Sequence, residues 1–221
     1  MKSVLISIQP KWCELIANGK KTVEVRKTRP KIETPFKCYI YCTQGKFKDL
    51  GIIGDEIYQK RMKVIGEFVC KSIANYEAEL WDDETYERIQ EFFEPDDFAE
   101  YGEYEYKTVA DNGDDFWREN MLCTYSCLTI EELRKYIGSG INDFYGWNIS
   151  DLAIYDKPKE LREFFHYCGD NPSCDGCEAH YYNNTESGLE DYCCSVAEGC
   201  RPLKRPPQSW RYVEGKEDEG K

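Results

Sequence analysis

The chain has 221 residues, with 42 Asp and Glu against 29 Lys and Arg for a formal net charge of −13, and 41% of its residues are hydrophobic. That is ample apolar material for a packed core, and no stretch approaches the ~18 consecutive apolar residues a membrane helix needs. The total charge argues against a nucleic-acid partner, but its distribution does not. Residues 1–72 hold 15 basic against 7 acidic residues, a balance of +8; residues 73–128 hold 3 against 17 (−14), and residues 129–221 hold 11 against 18 (−7). A phosphate backbone responds to local potential, so the basic N-terminal third is where such a partner fits.

Taken in chain order, Val4 to Ile8 is a short apolar run that predicts a first strand. It is too short for a signal peptide, and Pro10 follows it. The expectation is a cytoplasmic protein whose 12 cysteines are reduced thiols or metal ligands, which leaves the sequon Asn183-Asn184-Thr185 a coincidence of spacing. Trp12, Leu15 and Ile16 fall at helical spacing between Pro10 and Asn18, with Pro suited to the first turn and Gly19 to the residue past the end. Thr22 to Arg26 alternates strictly, with Val23 and Val25 on one face and Thr22, Glu24 and Arg26 on the other. Further strands are expected at Lys37–Cys42 and Lys63–Cys70, with a loop carrying Gly51 and Gly54 between them.

Residues 77–120 are strongly acidic. Leu80, Trp81, Ile89, Phe92 and Phe93 predict a surface helix there, and Tyr101 to Tyr106 a loop. Thr129 and Glu132 form a capping-box signature for a helix that runs to Ile137 and stops at Gly138. Tyr145 to Tyr155 reads as one aromatic-rich strand, which the Asp156-Lys157-Pro158-Lys159 stretch leaves. Arg205 to Glu214 predicts a closing strand, and the charged tail from Gly215 predicts disorder. There is no internal repeat. Many short strands with few long helices predict an α+β fold built on a small β-barrel.

Gly19-Lys20-Lys21-Thr22-Val23-Glu24-Val25-Arg26 fits G-x-K-x-x-E-x-R at every fixed position, at the junction of a short helix and a strand. In this it resembles the ASCH superfamily, over about the first 155 residues. Gly146-Trp147-Asn148-Ile149-Ser150-Asp151-Leu152 and the Pro206-Pro207-Gln208-Ser209-Trp210 run look like a bacterial and phage branch of that superfamily. The resemblance implies a PUA-like barrel and an RNA or nucleoside ligand.

The residues carry a chemical reading of their own. Glu24 can pair with Lys21 or Arg26 and hold them in place. Arg26 offers a planar fork for phosphate or a base edge, Lys21 a movable point charge, and Lys20 adds to the basic face. Trp147 or Trp210 could supply a stacking surface for an unpaired base. The competing reading is an ion-paired outer face that solubilises the strand.

Within the resembled superfamily one branch hydrolyses acetylcytidine, and ribonuclease activity is attributed to others. The acetylcytidine hydrolases look as if they use a lysine at the position of Lys21 and a threonine three residues later. Here that position is Glu24, and Thr22 is no like-for-like substitute. The covalent route through a threonine is therefore not expected. If the chain is an enzyme, Glu24 and Glu67 beside Lys21 would form a general-base pair that activates water; alternatively Glu67 is a lone edge carboxylate.

Six cysteines follow the order Cys168-x5-Cys174-x2-Cys177-x15-Cys193-Cys194-x5-Cys200. The C-x2-C step with further cysteines some 15 residues on predicts a structural zinc held by Cys174, Cys177, Cys193 and Cys200, with Cys194 or Cys168 as alternative ligands. The competing readings are a loop of free thiols and a redox sensor. Cys13, Cys38, Cys42, Cys70, Cys123 and Cys127 read as small core residues.

The organisation expected is a domain over 1–155 with an acidic insertion at about 73–125, a Cys-rich loop at 156–204, a closing strand at 205–214 and a tail at 215–221. Three functions compete: binding RNA or a modified nucleoside at the barrel mouth, hydrolysis of a nucleoside amide or RNA phosphodiester there, or a phage-type interaction in which the acidic block mimics nucleic acid and engages a protein partner.

Overall fold

The structure is a computed structural model and describes residues 2–45, 54–80, 87–93, 105–111, 121–167 and 202–214. The chain divides into two compact units. The first comprises Met1–Glu14, Lys37–Phe68 and Leu152–Lys221, and the second Leu15–Phe36 and Val69–Asp151.

The first strand, β1 (Lys2–Ile8), leads into α1 (Pro10–Ala17) and then β2 (Val23–Arg26). β3 (Phe36–Cys42) follows, then a short helix α2 (Asp55–Gln59) and β4 (Lys63–Cys70). β1 pairs parallel with β3, because a helix and a strand intervene between them and a hairpin cannot. The acidic segment forms β5 (Ile73–Leu80), β6 (Glu87–Phe93) and β7 (Glu105–Asp111), and the helices α3 (Met121–Ser126) and α4 (Ile130–Ile137) come next. β8 (Gly140–Asn148), β9 (Ser150–Lys159) and β10 (Trp210–Glu214) complete the strands.

In the first unit the sheet order is β10-β1-β3-β4-β9. One of its faces buries Leu5, Tyr39, Tyr41, Val64 and Val213 together with Phe164 and Leu203. Gly66 is required where β4 meets β9: a Cβ there would lie 2.4 Å from the Ala153 carbonyl oxygen. In the second unit the order is β2-β8-β5-β6-β7. Its core joins Val25, Tyr76, Ala78 and Phe144 of the sheet to Leu122 of α3 and Leu133 and Ile137 of α4. The capping box that opens α4 is formed, with the Glu132 N–H donating to Thr129 Oγ1 at 3.2 Å and the Thr129 N–H to Glu132 Oε2 at 3.1 Å.

Four expectations are corrected. Closing a barrel requires the last strand of a sheet to pair with the first. Among the described residues each order has two free ends, so the fold is α+β with two open five-stranded sheets. Among the described residues the acidic segment supplies strands rather than a surface helix: Leu80 ends β5, and Ile89, Phe92 and Phe93 lie in β6, while Trp81 lies outside the described residues. A short apolar run fits either period, and pairing on both sides of β6 settles it. Tyr106, expected in a loop, lies in β7. Finally, Tyr145 to Tyr155 is two strands, β8 and β9, which belong to different sheets. Asp151 at the start of β9 has φ +47°. Pro158 falls within β9, which among the described residues lies at the end of its sheet, the place where proline is tolerated in a strand.

Candidate functional site

Local backbone geometry builds the junction that carries the motif. Gly19 turns the chain out of α1 at φ +73°, a conformation that glycine adopts without strain. The N–H groups of Lys20 and Lys21 then both donate to the Leu15 carbonyl, at 2.9 and 3.0 Å. Two further bonds pin Thr22 from either side: its N–H donates to the Tyr125 carbonyl at the end of α3, and its carbonyl accepts from the Ile149 N–H, both at 2.9 Å.

The motif side chains form one ion-paired cluster. Glu24 bridges the two cations, with Arg26 Nη2 at 2.9 Å from Oε1 and Lys21 Nζ at 3.3 Å from Oε2. Lys21 Nζ also donates to the carbonyls of Val23 at 2.8 Å and Ser126 at 2.7 Å. These acceptors match the three N–H groups of an ammonium. All three residues are buried: Lys21 is 2%, Glu24 6% and Arg26 8% exposed. The polar face of β2 is thus interior, so the motif residues do not form an outer basic face. Both hydrophobic and polar faces of this strand are covered, which strict alternation alone does not reveal.

Around the cluster lie residues that sequence reasoning did not single out. The Tyr136 hydroxyl, at the end of α4, accepts hydrogen bonds from the Arg26 guanidinium and the Lys27 backbone N–H. Burial pushes its phenol up from the ordinary value, with the Glu24 charge adding to the rise and Arg26 opposing it. Lys27 Nζ lies 5.6 Å from the centre of the Tyr136 ring and donates to the Ile137 carbonyl at 3.0 Å. Arg29 sits 5.8 Å from the Tyr145 ring centre. Tyr145 is opposite Arg26 in the β2–β8 register. Lys27 and Arg29 are exposed, and so is Lys31. That alternating basic run directly after the motif is the sequence signal that points to this strip.

The other candidates are placed as follows. Lys20 is exposed beside the cluster, and its carbonyl accepts from the Cys127 thiol at 3.4 Å. Trp147 lies opposite Glu24 in the register, fully buried, with its ring edge-on to Phe36 at 5.9 Å. A ring with no exposed surface offers no platform for a base, so Trp147 is a wall of the cluster. Trp210 lies in β10 of the first unit, half-buried and edge-on to Tyr212 at 5.4 Å. Glu67 also belongs to the first unit. There Tyr155 Oη donates to its Oε2 at 2.6 Å and Lys37 Nζ pairs with its Oε1 at 3.1 Å. Both its oxygens are engaged within that unit.

Cys174, Cys177, Cys193 and Cys200 lie outside the described residues, as do Cys168 and Cys194. Among the described residues no group of three or more His, Cys, Asp or Glu is placed to hold a metal. Cys13, Cys38, Cys42 and Cys70 are buried thiols in no disulfide, and Cys123 and Cys127 are partly buried ones. No described helix is long and apolar enough to cross a membrane.

Two open sheets with short flanking helices define a sheet-dominated α+β protein whose second unit carries a Lys–Glu–Arg cluster buried where a helix turns into a strand. Residues 6–111, just under half of the chain, match the family model of the ASCH domain. No curated protein sequence matches the chain. Among solved structures it is similar to the ASCH protein from Zymomonas mobilis, at 15% identity and a TM-score of 0.47, over 96% of this chain and 87% of that one. A Ser-to-Ala mutant of that protein matches at 15% identity and a TM-score of 0.46, over 96% and 88% of the two chains. A Tyr-to-Phe mutant matches at 17% and 0.42, over 73% and 77%.

Proposed function

We propose that this chain binds RNA or a modified nucleoside at the site organised by Lys21, Glu24 and Arg26. The observation that carries the reading is the charge balance of the buried cluster. Two cations share one carboxylate, all at most 8% exposed, which leaves one formal positive charge poorly screened by solvent. Such a charge attracts an anionic ligand more strongly than a solvated one would. The exposed Lys20, Lys27, Arg29 and Lys31 extend the same sign outward. An ASCH domain is consistent with nucleic-acid binding.

The test is RNA affinity as a function of salt. Counterion release makes log K fall linearly with log salt. Charge reversal of Lys20, Lys27 and Arg29, which are exposed and therefore tolerate it, should abolish binding. Affinity that is indifferent to salt and to those substitutions would refute the reading.

As a second element of the reading, Cys174, Cys177, Cys193 and Cys200 hold one structural zinc. The C-x2-C spacing supports it, and so does a segment too poor in aliphatic residues to build its own core.

A further inference from the structure

We infer that the surface in direct contact with RNA is the strip formed by Lys27, Arg29, Tyr136 and Tyr145, and that it takes unpaired RNA by stacking bases on the two tyrosines. The inference rests on the RNA reading above and names both the contact residues and the form of RNA.

The first argument is access. Lys21 is 2% exposed and donates to Val23, Ser126 and Glu24. A polymer therefore meets the exposed cations next to the cluster, Lys27 and Arg29. The buried cluster acts as a positioning group. Glu24 orients Arg26, Arg26 holds the Tyr136 hydroxyl, and Tyr136 stands over the start of the basic run.

The second argument is preorganisation. Tyr136 is 37% exposed, yet its hydroxyl is tied to Arg26 and to the Lys27 N–H. Tyr145 is held in β8 opposite Arg26. Two tyrosine rings fixed in this way on a helix end and a strand lose little freedom when a base stacks on them. The cations lie 5.6 and 5.8 Å from the ring centres, near the outer limit of ~6 Å for a cation–π contact. Both are exposed, so each can turn to a phosphate when a base arrives, Lys27 by exchanging its bond to the Ile137 carbonyl. This pairing of π-face and cation suits an unpaired strand. Bases in a duplex keep their faces stacked on each other, and the deep A-form major groove hides their edges.

The experiment measures binding of a labelled single-stranded RNA of about eight nucleotides, and of the same sequence as a duplex, to the full chain by fluorescence anisotropy. The single strand should bind more tightly. Tyr136→Leu and Tyr145→Leu should each weaken it about tenfold, while Tyr136→Phe, which keeps the ring and loses only the hydroxyl tie, should weaken it less than Tyr136→Leu. Replacing Lys27 and Arg29 together by Ala should lower the slope of log K against log salt by about 1.4, since each phosphate contact on a single strand contributes about 0.7. Lys71→Ala, an exposed cation paired with Asp151, should change nothing. Equal affinity for the duplex, or folded tyrosine variants that bind like wild type, would overturn the inference while leaving the RNA reading intact. If a tyrosine variant fails to fold, an unchanged salt slope in the Lys27/Arg29 variant overturns it as well. A wild-type chain that binds neither form of RNA sinks both.

Discussion

The ammonium of Lys21 donates a 2.7 Å hydrogen bond to the carbonyl of Ser126, 105 residues further along the chain. Ser126 closes α3, where carbonyls lose their helical partners and the negative end of the helix dipole favours a cation. With the Thr22 N–H donating to the Tyr125 carbonyl, this bond fastens the start of β2 to the end of α3. Lys21 is thus a structural staple as well as a charge. Lys21→Met should cost about 3–5 kcal/mol, because it leaves buried acceptors unsatisfied and removes one partner of a buried ion pair. Urea denaturation is the measurement, and a loss under about 1 kcal/mol would mean that the staple is dispensable.

Glu24→Gln separates binding from hydrolysis. As a positioning group, Glu24 holds Arg26 and Lys21 by charge-assisted bonds, and an amide oxygen keeps part of that geometry. RNA affinity should then fall less than about tenfold. If the site instead hydrolysed its ligand, the loss of a carboxylate would reduce turnover about 100-fold or more while ligand still bound. The expected outcome is that wild-type protein releases no acetate from acetylcytidine. Turnover that is lost in Glu24→Gln and kept in Lys71→Ala would show the chain to be a hydrolase, and Glu67→Gln would then identify the second carboxylate.

The cysteine segment predicts about one zinc per chain. Elemental analysis of protein purified without added metal should find it, and replacing Cys174 and Cys177 by Ser should release it. A chelator should lower the melting temperature, since metal binding to such a segment is folding energy. Equal melting with and without chelator would exclude a structural metal.

Alkaline pH should weaken the second unit through Cys70. Burial pushes this thiol from 9.0 to about 12, against weaker opposing hydrogen bonds from its own neighbourhood. A thiol whose folded pKa lies above its unfolded value stabilises the fold fully below the unfolded value, and that contribution is lost as pH rises towards the folded one. The urea midpoint should therefore fall progressively between pH 9 and pH 12. Cys70→Ala should flatten that fall. An identical pH profile in the variant would assign the alkaline loss to other groups.

Much of the local structure was legible from neighbouring residues. Pro10 and Gly19 bound α1, Thr129 and Glu132 cap α4, and the apolar runs at the first three sheet strands of the first unit mark β1, β3 and β4. In each of these the deciding interaction lies within a few residues, where periodicity and capping chemistry act. The motif Lys21, Glu24 and Arg26 was legible for the same reason, because a strand's alternation puts Glu24 and Arg26 on one face.

Elements whose state depends on distant partners were not legible. The acidic segment is strand because β5 pairs with β8 and β6 pairs with β5 and β7; its own short apolar runs suit a helix equally well. Trp147 reads as a stacking surface until its register opposite Glu24 and its contact with Phe36 bury it. Tyr136 reads as one more helix residue until its hydroxyl meets Arg26, 110 positions away.

By itself, then, the sequence determined which charged groups sit together at the helix–strand junction, since those residues are covalent neighbours. Only the tertiary structure decided that they are interior. Their burial depends on contacts brought from α3, α4 and β8, and hydrophobic packing and sheet hydrogen bonding bring those elements in from far along the chain.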